Sequence, residues 1–427
     1  MDIKTIRFEK INEIMHMHEH SSGLKAFVIP KKGYSKKYAT FATHYGSINN
    51  EFVVPGEKEA IRVPDGIAHF LEHKLFEQKD GSVMDKFSAL GSSPNAYTSF
   101  NQTVYLFSCT EKFDENFQLL LNYVQNPYIT DESVEKEKGI IGQEIQMYQD
   151  DPEWRVFFNL LQAFYRENPV RIDIAGTIES ISQINKEVLY KCYNTFYHPS
   201  NMVILVVGDV DHEKVFEQVE ESIKIKQEKP EIKRIFPEEP DTVFKNYVEA
   251  KLAVATPIFQ AGFRDNISEV KGIEALRREV AVKILLNMIM GRSSALYNEL
   301  YNEGLINSTF DYDYTIEESY AYSMFGGESP DPEKVRDRIV QAIKDIQRNG
   351  LDRNSYDRIR KAMTGRFLKQ LNSVERISHT FMSVYFKGVT IFDYFDVYDK
   401  ITFEYVNSTF AEHFNLDNLA LSVIKPA

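Results

Sequence analysis

Apolar residues along the chain recur in two rhythms. Short runs alternate as strands do, beginning with Gly23-Leu24-Lys25-Ala26-Phe27-Val28-Ile29-Pro30. Longer stretches repeat with a helical period: Glu115 to Val124 and Val134 to Gln149, then Gly272 to Met290 and Pro332 to Arg348. The chain from Phe196 to Gly208 reads as a helix end, a turn at His198-Pro199-Ser200-Asn201 and a buried strand. That strand holds the longest aliphatic run, Met202 to Val207. A bilayer span needs about 20 apolar residues, so no membrane crossing is expected.

The order of helix end, turn and strand returns between Phe410 and Ile424, where Asn418 lies 217 residues beyond Asn201. A second pair of strands, Phe41-Ala42-Thr43-His44-Tyr45 and Phe259-Gln260-Ala261-Gly262-Phe263, is offset by 218 residues. Two points at nearly one offset indicate an internal duplication. Between the copies, Lys224 to Asp241 is rich in Lys, Glu and Ile and carries Pro230, Pro237 and Pro240, as a linker does. The expected fold is α+β, in two similar duplicated domains, each with an antiparallel-rich sheet covered by helices. The expected division is residues 1–223, a linker at 224–245, and residues 246–427.

Composition narrows the partners. The 427 residues exceed what one ordinary core holds, and 30 Phe with 24 Tyr favour bulky, sheet-rich interiors. A net charge of −13 leaves no basic excess to neutralise phosphates, which argues against a nucleic-acid partner. It is compatible with basic peptides, although a solvated acidic surface is the commoner meaning. Only Cys109 and Cys192 are present, and no spacing pairs them. The first residues, Met1 to Thr5, lack the apolar core of a signal peptide. A reducing, cytoplasmic setting is the expectation.

The chemistry concentrates in Pro64-Asp65-Gly66-Ile67-Ala68-His69-Phe70-Leu71-Glu72-His73-Lys74. Pro64 and Asp65 suggest a helix start. On a helix, His69 and His73 stand one turn apart on one face, so both imidazoles can reach a single metal ion. Glu72 is three residues from His69 and is placed to take a proton from an activated water. A chance string of this kind needs a third ligand to become a site. Glu137 and Glu144, seven residues apart in Glu137 to Tyr148, share a helical face; one can bind metal while the other supports a ligand histidine by hydrogen bonding.

The string His69-Phe70-Leu71-Glu72-His73, followed some seventy residues later by the pair Glu137 and Glu144, resembles the inverzincin zinc site of the pitrilysin/insulinase metallopeptidases. The resemblance spans nearly the whole chain, since that family is built from duplicated α+β halves of this length. It implies one zinc per chain held by His69, His73 and Glu144, with Glu72 as general base and Glu137 as the carboxylate behind a ligand histidine. Gly91 to Phe100 resembles the family's edge strand, which implies peptide contacts at Asn95, Ala96 and Tyr97. Alternation into Val104-Tyr105-Leu106-Phe107 supports a strand there independently.

One part of the pattern departs. Members of the family carry, in the second half, an Arg and a Tyr about seven residues later; the matching positions here hold Tyr301 and Asn307. Chains of this length in the family pair as half-clamshells, so the departure implies a dimer, and specifically a heterodimer with a zinc-less paralogue that supplies the missing donors. A homodimer using Tyr301, Tyr312 or Tyr314 is the competitor. The expected function is a zinc endopeptidase for short or unfolded peptides; the alternative is a non-catalytic scaffold subunit. The other histidine-rich string, His16-Met17-His18-Glu19-His20, has no carboxylate at helical spacing and is expected to be structural or solvent-facing.

Overall fold

A computed structural model describes residues 1–224, 231–266 and 270–427. Part of the expected linker, residues 225–230, lies outside the described residues. The chain forms two units, one built from Met1–Ile145, Asp173–Phe236 and Leu371–Ser383, the other from Gln146–Ile172, Pro237–Gln370 and Val384–Ala427.

The first unit is organised on a seven-stranded sheet whose order is Ile3–Phe8, Glu13–Glu19, Lys25–Pro30, Met202–Gly208, Lys37–Thr43, Thr103–Cys109 and, at the edge, Ser93–Thr98. The second is organised on five strands: Tyr247–Leu252, Leu419–Pro426, Ile258–Arg264, Ala321–Glu328 and Asp311–Ile316. The duplication is visible in the pairing. Met202–Gly208 lies parallel to Lys25–Pro30 and antiparallel to Lys37–Thr43. Leu419–Pro426 stands in the same relation to Tyr247–Leu252 and Ile258–Arg264. Apart from these two parallel pairs, the sheets are antiparallel, and helices cover them, so the fold is α+β in two similar domains. Both repeated strands are almost wholly buried, which is why Met202–Gly208 reads as an unbroken aliphatic run and Leu419–Pro426 as a dense apolar stretch interrupted at Ser422.

The units are not contiguous in sequence, unlike the division at a single linker that the sequence suggests. Helix Pro152–Phe164, from the first half, belongs to the second unit, where its Val156 packs with Ile258 and Ile424. In return, Leu371–Ser383, which includes most of helix Val374–Tyr385, belongs to the first unit. There Phe381 meets Phe27 with ring centroids 5.1 Å apart. Each half thus gives one helix to the other unit. Hydrophobic periodicity tells which face of a helix is buried but not which sheet buries it.

Among the described residues, no helix is long and apolar enough to cross a membrane. Cys109 and Cys192 are both buried and unpaired with each other. Burial pushes the Cys192 thiol up to about 12 and that of Cys109 up to about 11, so neither is a reactive thiolate near neutral pH.

Candidate metal centre and active site

Helix Ile67–Leu75 carries His69, Glu72 and His73. It starts two residues after the Pro64-Asp65 signal, following Gly66 with φ of 89°. A Cβ at Gly66 would stand 2.3 Å from the Ala175 carbonyl oxygen, so only glycine permits this approach. Asp65 is tied down from both ends: its carboxylate accepts from Asn50 Nδ2 at 2.8 Å and its carbonyl from Ser180 Oγ at 2.8 Å. Ile67, Ala68, Phe70, Leu71 and Leu75 then fix the helix in the core and leave the two histidines on its open face.

Glu137 and Glu144 both lie on helix Asp131–Asp150, and the structure gives them different contacts. Glu144 Oε2 is 3.7 Å from His69 Nε2 and 3.6 Å from His73 Nε2. His69, His73 and Glu144 offer ligand atoms within 4.8 Å of one another. They form the one such group found among the described residues. Contacts of 3.6–3.7 Å exceed ordinary hydrogen bonds. They are close to the roughly 3.3 Å that separates ligand atoms around a tetrahedral zinc ion with bonds near 2.0 Å. The two rings stand at 61° with centroids 4.6 Å apart, so their nitrogens converge rather than stack. This donor set of two imidazoles and one carboxylate fits zinc.

Glu137 sits behind the group. Its Oε1 is 3.0 Å from His73 Nδ1, and its Oε2 is 3.5 Å from Lys74 Nζ. With Nδ1 donating to Glu137, the lone pair of His73 Nε2 is directed at Glu144. Lys74 is fully buried, and it also meets Glu77 and the Ser133 carbonyl. Burial favours the neutral form of Glu137, but the hydrogen bond and charge of His73, with Lys74, outweigh it and hold its carboxyl below the usual value.

The two histidines differ. Burial, aided by the charge of His73, lowers His69 to about 4, so it is a neutral imidazole at physiological pH. Burial acts the same way on His73, but its hydrogen bond to Glu137 and the charges of Glu72, Glu137 and Glu144 overcome it and raise its pKa. A field that retains a proton on His73 is also one that attracts a divalent cation.

Glu72 is 7% exposed. Thr98, at the end of the edge strand, donates from Oγ1 to Glu72 Oε2 at 2.6 Å. Burial raises the carboxyl above its usual value, with the Thr98 hydrogen bond opposing. The sequence reading missed Thr98, although alternation places it on the same strand face as Ala96.

Strand Ser93–Thr98 pairs with Thr103–Cys109 on one side only and forms the edge of the sheet. The Ala96 N–H is bonded by the side chain of its own neighbour, Asn95 Oδ1, at 2.9 Å instead of by a strand. Asn95 is exposed, while Ala96 and Tyr97 are half-buried.

The positions where the family's Arg and Tyr are expected belong to the second unit. Tyr301 is 51% exposed and stacks on Tyr297. Asn307 spends its amide locally, donating to Glu328 at 2.7 Å and accepting from Thr309. Of the substitute donors, Tyr314 is buried and committed to Asp265 at 2.6 Å, which removes it as a candidate. Tyr312 remains, with its hydroxyl raised by burial and drawn back by the charges of Arg366 and Arg292.

The His16-to-His20 string has a carboxylate partner after all, from far along the chain. His18 Nε2 lies 2.5 Å and His20 Nε2 3.7 Å from the carboxylate of Glu220, on helix His212–Ser222. His16 stacks on His212, ring centroids 3.7 Å apart. His18 and His20 are buried, so these contacts fasten the outer strands to the helix.

The family profile described as insulinase (peptidase family M16) matches residues 58–178, and that of the peptidase M16 inactive domain matches residues 183–363. The crystal structure of an M16-like peptidase from Alicyclobacillus acidocaldarius superposes with a TM-score of 0.93 at 36% identity, covering 100% of this chain and 99% of that one. The chain belongs to the pitrilysin/insulinase (M16) family of peptidases. Its sequence is 44% identical over 428 residues to YmfH of Bacillus subtilis, an uncharacterized zinc protease, with 99% of each chain covered. It is also 31% identical over 176 residues to the mitochondrial-processing peptidase subunit beta of Caenorhabditis elegans, covering 40% of this chain and 38% of that one.

Proposed function

We propose that this chain is a zinc endopeptidase that hydrolyses short or unfolded peptides, with His69, His73 and Glu144 as metal ligands. The convergence of those three side chains on one point, beside the buried Glu72, carries the reading. When bound there, zinc acts as a Lewis acid that acidifies a water molecule and polarises a carbonyl. Glu72 takes the proton from the attacking water and passes it to the leaving amine. Thr98 holds the Glu72 carboxylate in place, and Glu137 orients His73. The peptide lies as an added strand on Ser93–Thr98, and the backbone of Asn95, Ala96 and Tyr97 grips it with little dependence on sequence.

A peptidase of this type also needs a donor for the developing oxyanion. The exposed Tyr301 and the locally bonded Asn307 support a paired arrangement in which a zinc-less paralogue supplies that donor. The two buried free thiols are in keeping with a reducing, cytoplasmic setting.

Incubation with an unstructured peptide mixture, followed by mass spectrometry, tests the reading. Cleavage that falls at least about 100-fold in Glu72→Gln, alone or with the paralogue present, supports it. Equal cleavage by both proteins contradicts it.

A further inference from the structure

Helix Val374–Tyr385 places a histidine beside the edge strand, on the sheet face turned away from the metal-binding group. The alternation of the sheet shows which face is which. Ala26, Val28, Ala39, Phe41, Tyr105 and Phe107 join the core that holds helix Ile67–Leu75. Their neighbours Phe27 and Tyr38 point to the other face, where they meet Phe381 and His379. Tyr97 shares that face, its ring 5.9 Å from the His379 ring at 31°. The Tyr38 hydroxyl is 3.3 Å from His379 Nε2. Tyr38 is buried, Tyr97 half-buried and His379 exposed, so the cluster reaches the surface at His379.

On the edge strand, Thr98 reaches Glu72 while Tyr97 faces the helix. An extended peptide added to this edge therefore directs alternate side chains to the two faces. The side chain opposite Tyr97 stands about 5 Å from it, Cβ to Cβ, on the Tyr97 side. What it meets there is aromatic. Glu375, one turn before His379, is already paired with Lys36. Rings offset from Tyr97 and His379 gain stacking or edge contacts that a small or charged side chain does not.

We propose that Tyr97, Tyr38 and His379 form a specificity subsite for an aromatic side chain of the bound peptide, with His379 lent to the first unit by the second half of the chain. This rests on the reading that peptides bind along the edge strand. It adds a preference to a grip that backbone hydrogen bonding alone leaves indifferent to sequence.

Binding can be read without turnover. Dye-labelled peptides carrying a single Phe or Ala, scanned through each position, are titrated against the Glu72→Gln protein by fluorescence anisotropy. The expected result is one position where Phe binds about tenfold tighter than Ala. That ratio should fall toward one in Glu72→Gln/His379→Ala and persist in Glu72→Gln/His379→Phe, which keeps a ring. Peptide binding whose Phe-to-Ala ratio is untouched by His379→Ala overturns the subsite and leaves the edge-strand reading standing. Absence of peptide binding overturns both. Zinc content and cleavage by the wild-type chain report separately on the peptidase reading.

Discussion

The Nδ1 atom of His73 lies 3.0 Å from Oε1 of Glu137, and this contact divides the labour of the two glutamates on one helix. Glu144 faces the imidazole Nε2 atoms, whereas Glu137 holds the far side of one ring and is itself held by Lys74. Glu137→Gln should weaken zinc binding about 10- to 100-fold while leaving the fold intact, as outer partners of ligand histidines generally do. Competition with a chelator of known affinity measures this. Unchanged affinity would show that Glu137 serves only to neutralise Lys74.

Thr98 gives a separable prediction. Its hydroxyl bonds Glu72, the proposed base, and lies at the end of the strand that is proposed to bind peptide. Thr98→Val removes the donor but keeps the β-branched shape. A lost hydrogen bond to a charged group costs about 1.5–3 kcal/mol, or roughly 10- to 100-fold in rate. The expected fall is in kcat, with zinc content unchanged and KM little altered.

The pairing hypothesis predicts that the isolated chain turns over peptides slowly and that adding a zinc-less paralogue raises kcat at least tenfold. Tyr312→Phe discriminates the competitor. In a homodimer that relies on Tyr312, this change lowers the activity of the chain alone; in a heterodimer it does not. Full activity of the lone chain, unaffected by Tyr312→Phe, would sink both arrangements.

Acid stability should be governed by Asp265, in the second unit. Burial penalises its charge, but contacts from His413 and Arg278 prevail and hold the carboxyl well below the usual range. Arg278 meets both its oxygens at 2.9 Å, and Tyr314 donates at 2.6 Å. A carboxyl depressed in the folded state contributes stability that is full above its unfolded pKa of about 3.9 and is lost as pH falls below it. Urea denaturation from pH 6 to pH 2 should therefore steepen below about pH 4. In Asp265→Asn the slope should flatten, with about 3–5 kcal/mol lost at neutral pH because Arg278 is left uncompensated. Ser323 and His413 complete a serine–histidine–aspartate line here, yet all three are buried, so no substrate reaches it and its role is structural.

The grouping of His69, His73 and Glu144 was legible because its information is local. One helical turn sets His69 beside His73, two turns set Glu137 and Glu144 on one face, and neither relation depends on the rest of the fold. The duplication was legible for a related reason: buried central strands leave dense apolar stretches that can be matched by offset. What escaped depends on pairing between distant segments. Thr98 meets Glu72 only once the edge strand is laid beside the helix. Glu220 meets His18 and His20 across some 200 residues of chain. Exchange of the helices containing Val156 and Phe381 leaves no trace in periodicity, since a buried helical face fits either sheet.

The most direct test of the central claim is zinc content by elemental analysis of the metal-replete protein, compared with His73→Ala and Glu72→Gln. About one zinc per chain, lost in His73→Ala and retained in Glu72→Gln, is the predicted result. Wild-type protein without zinc, or zinc that survives in His73→Ala, would contradict the site.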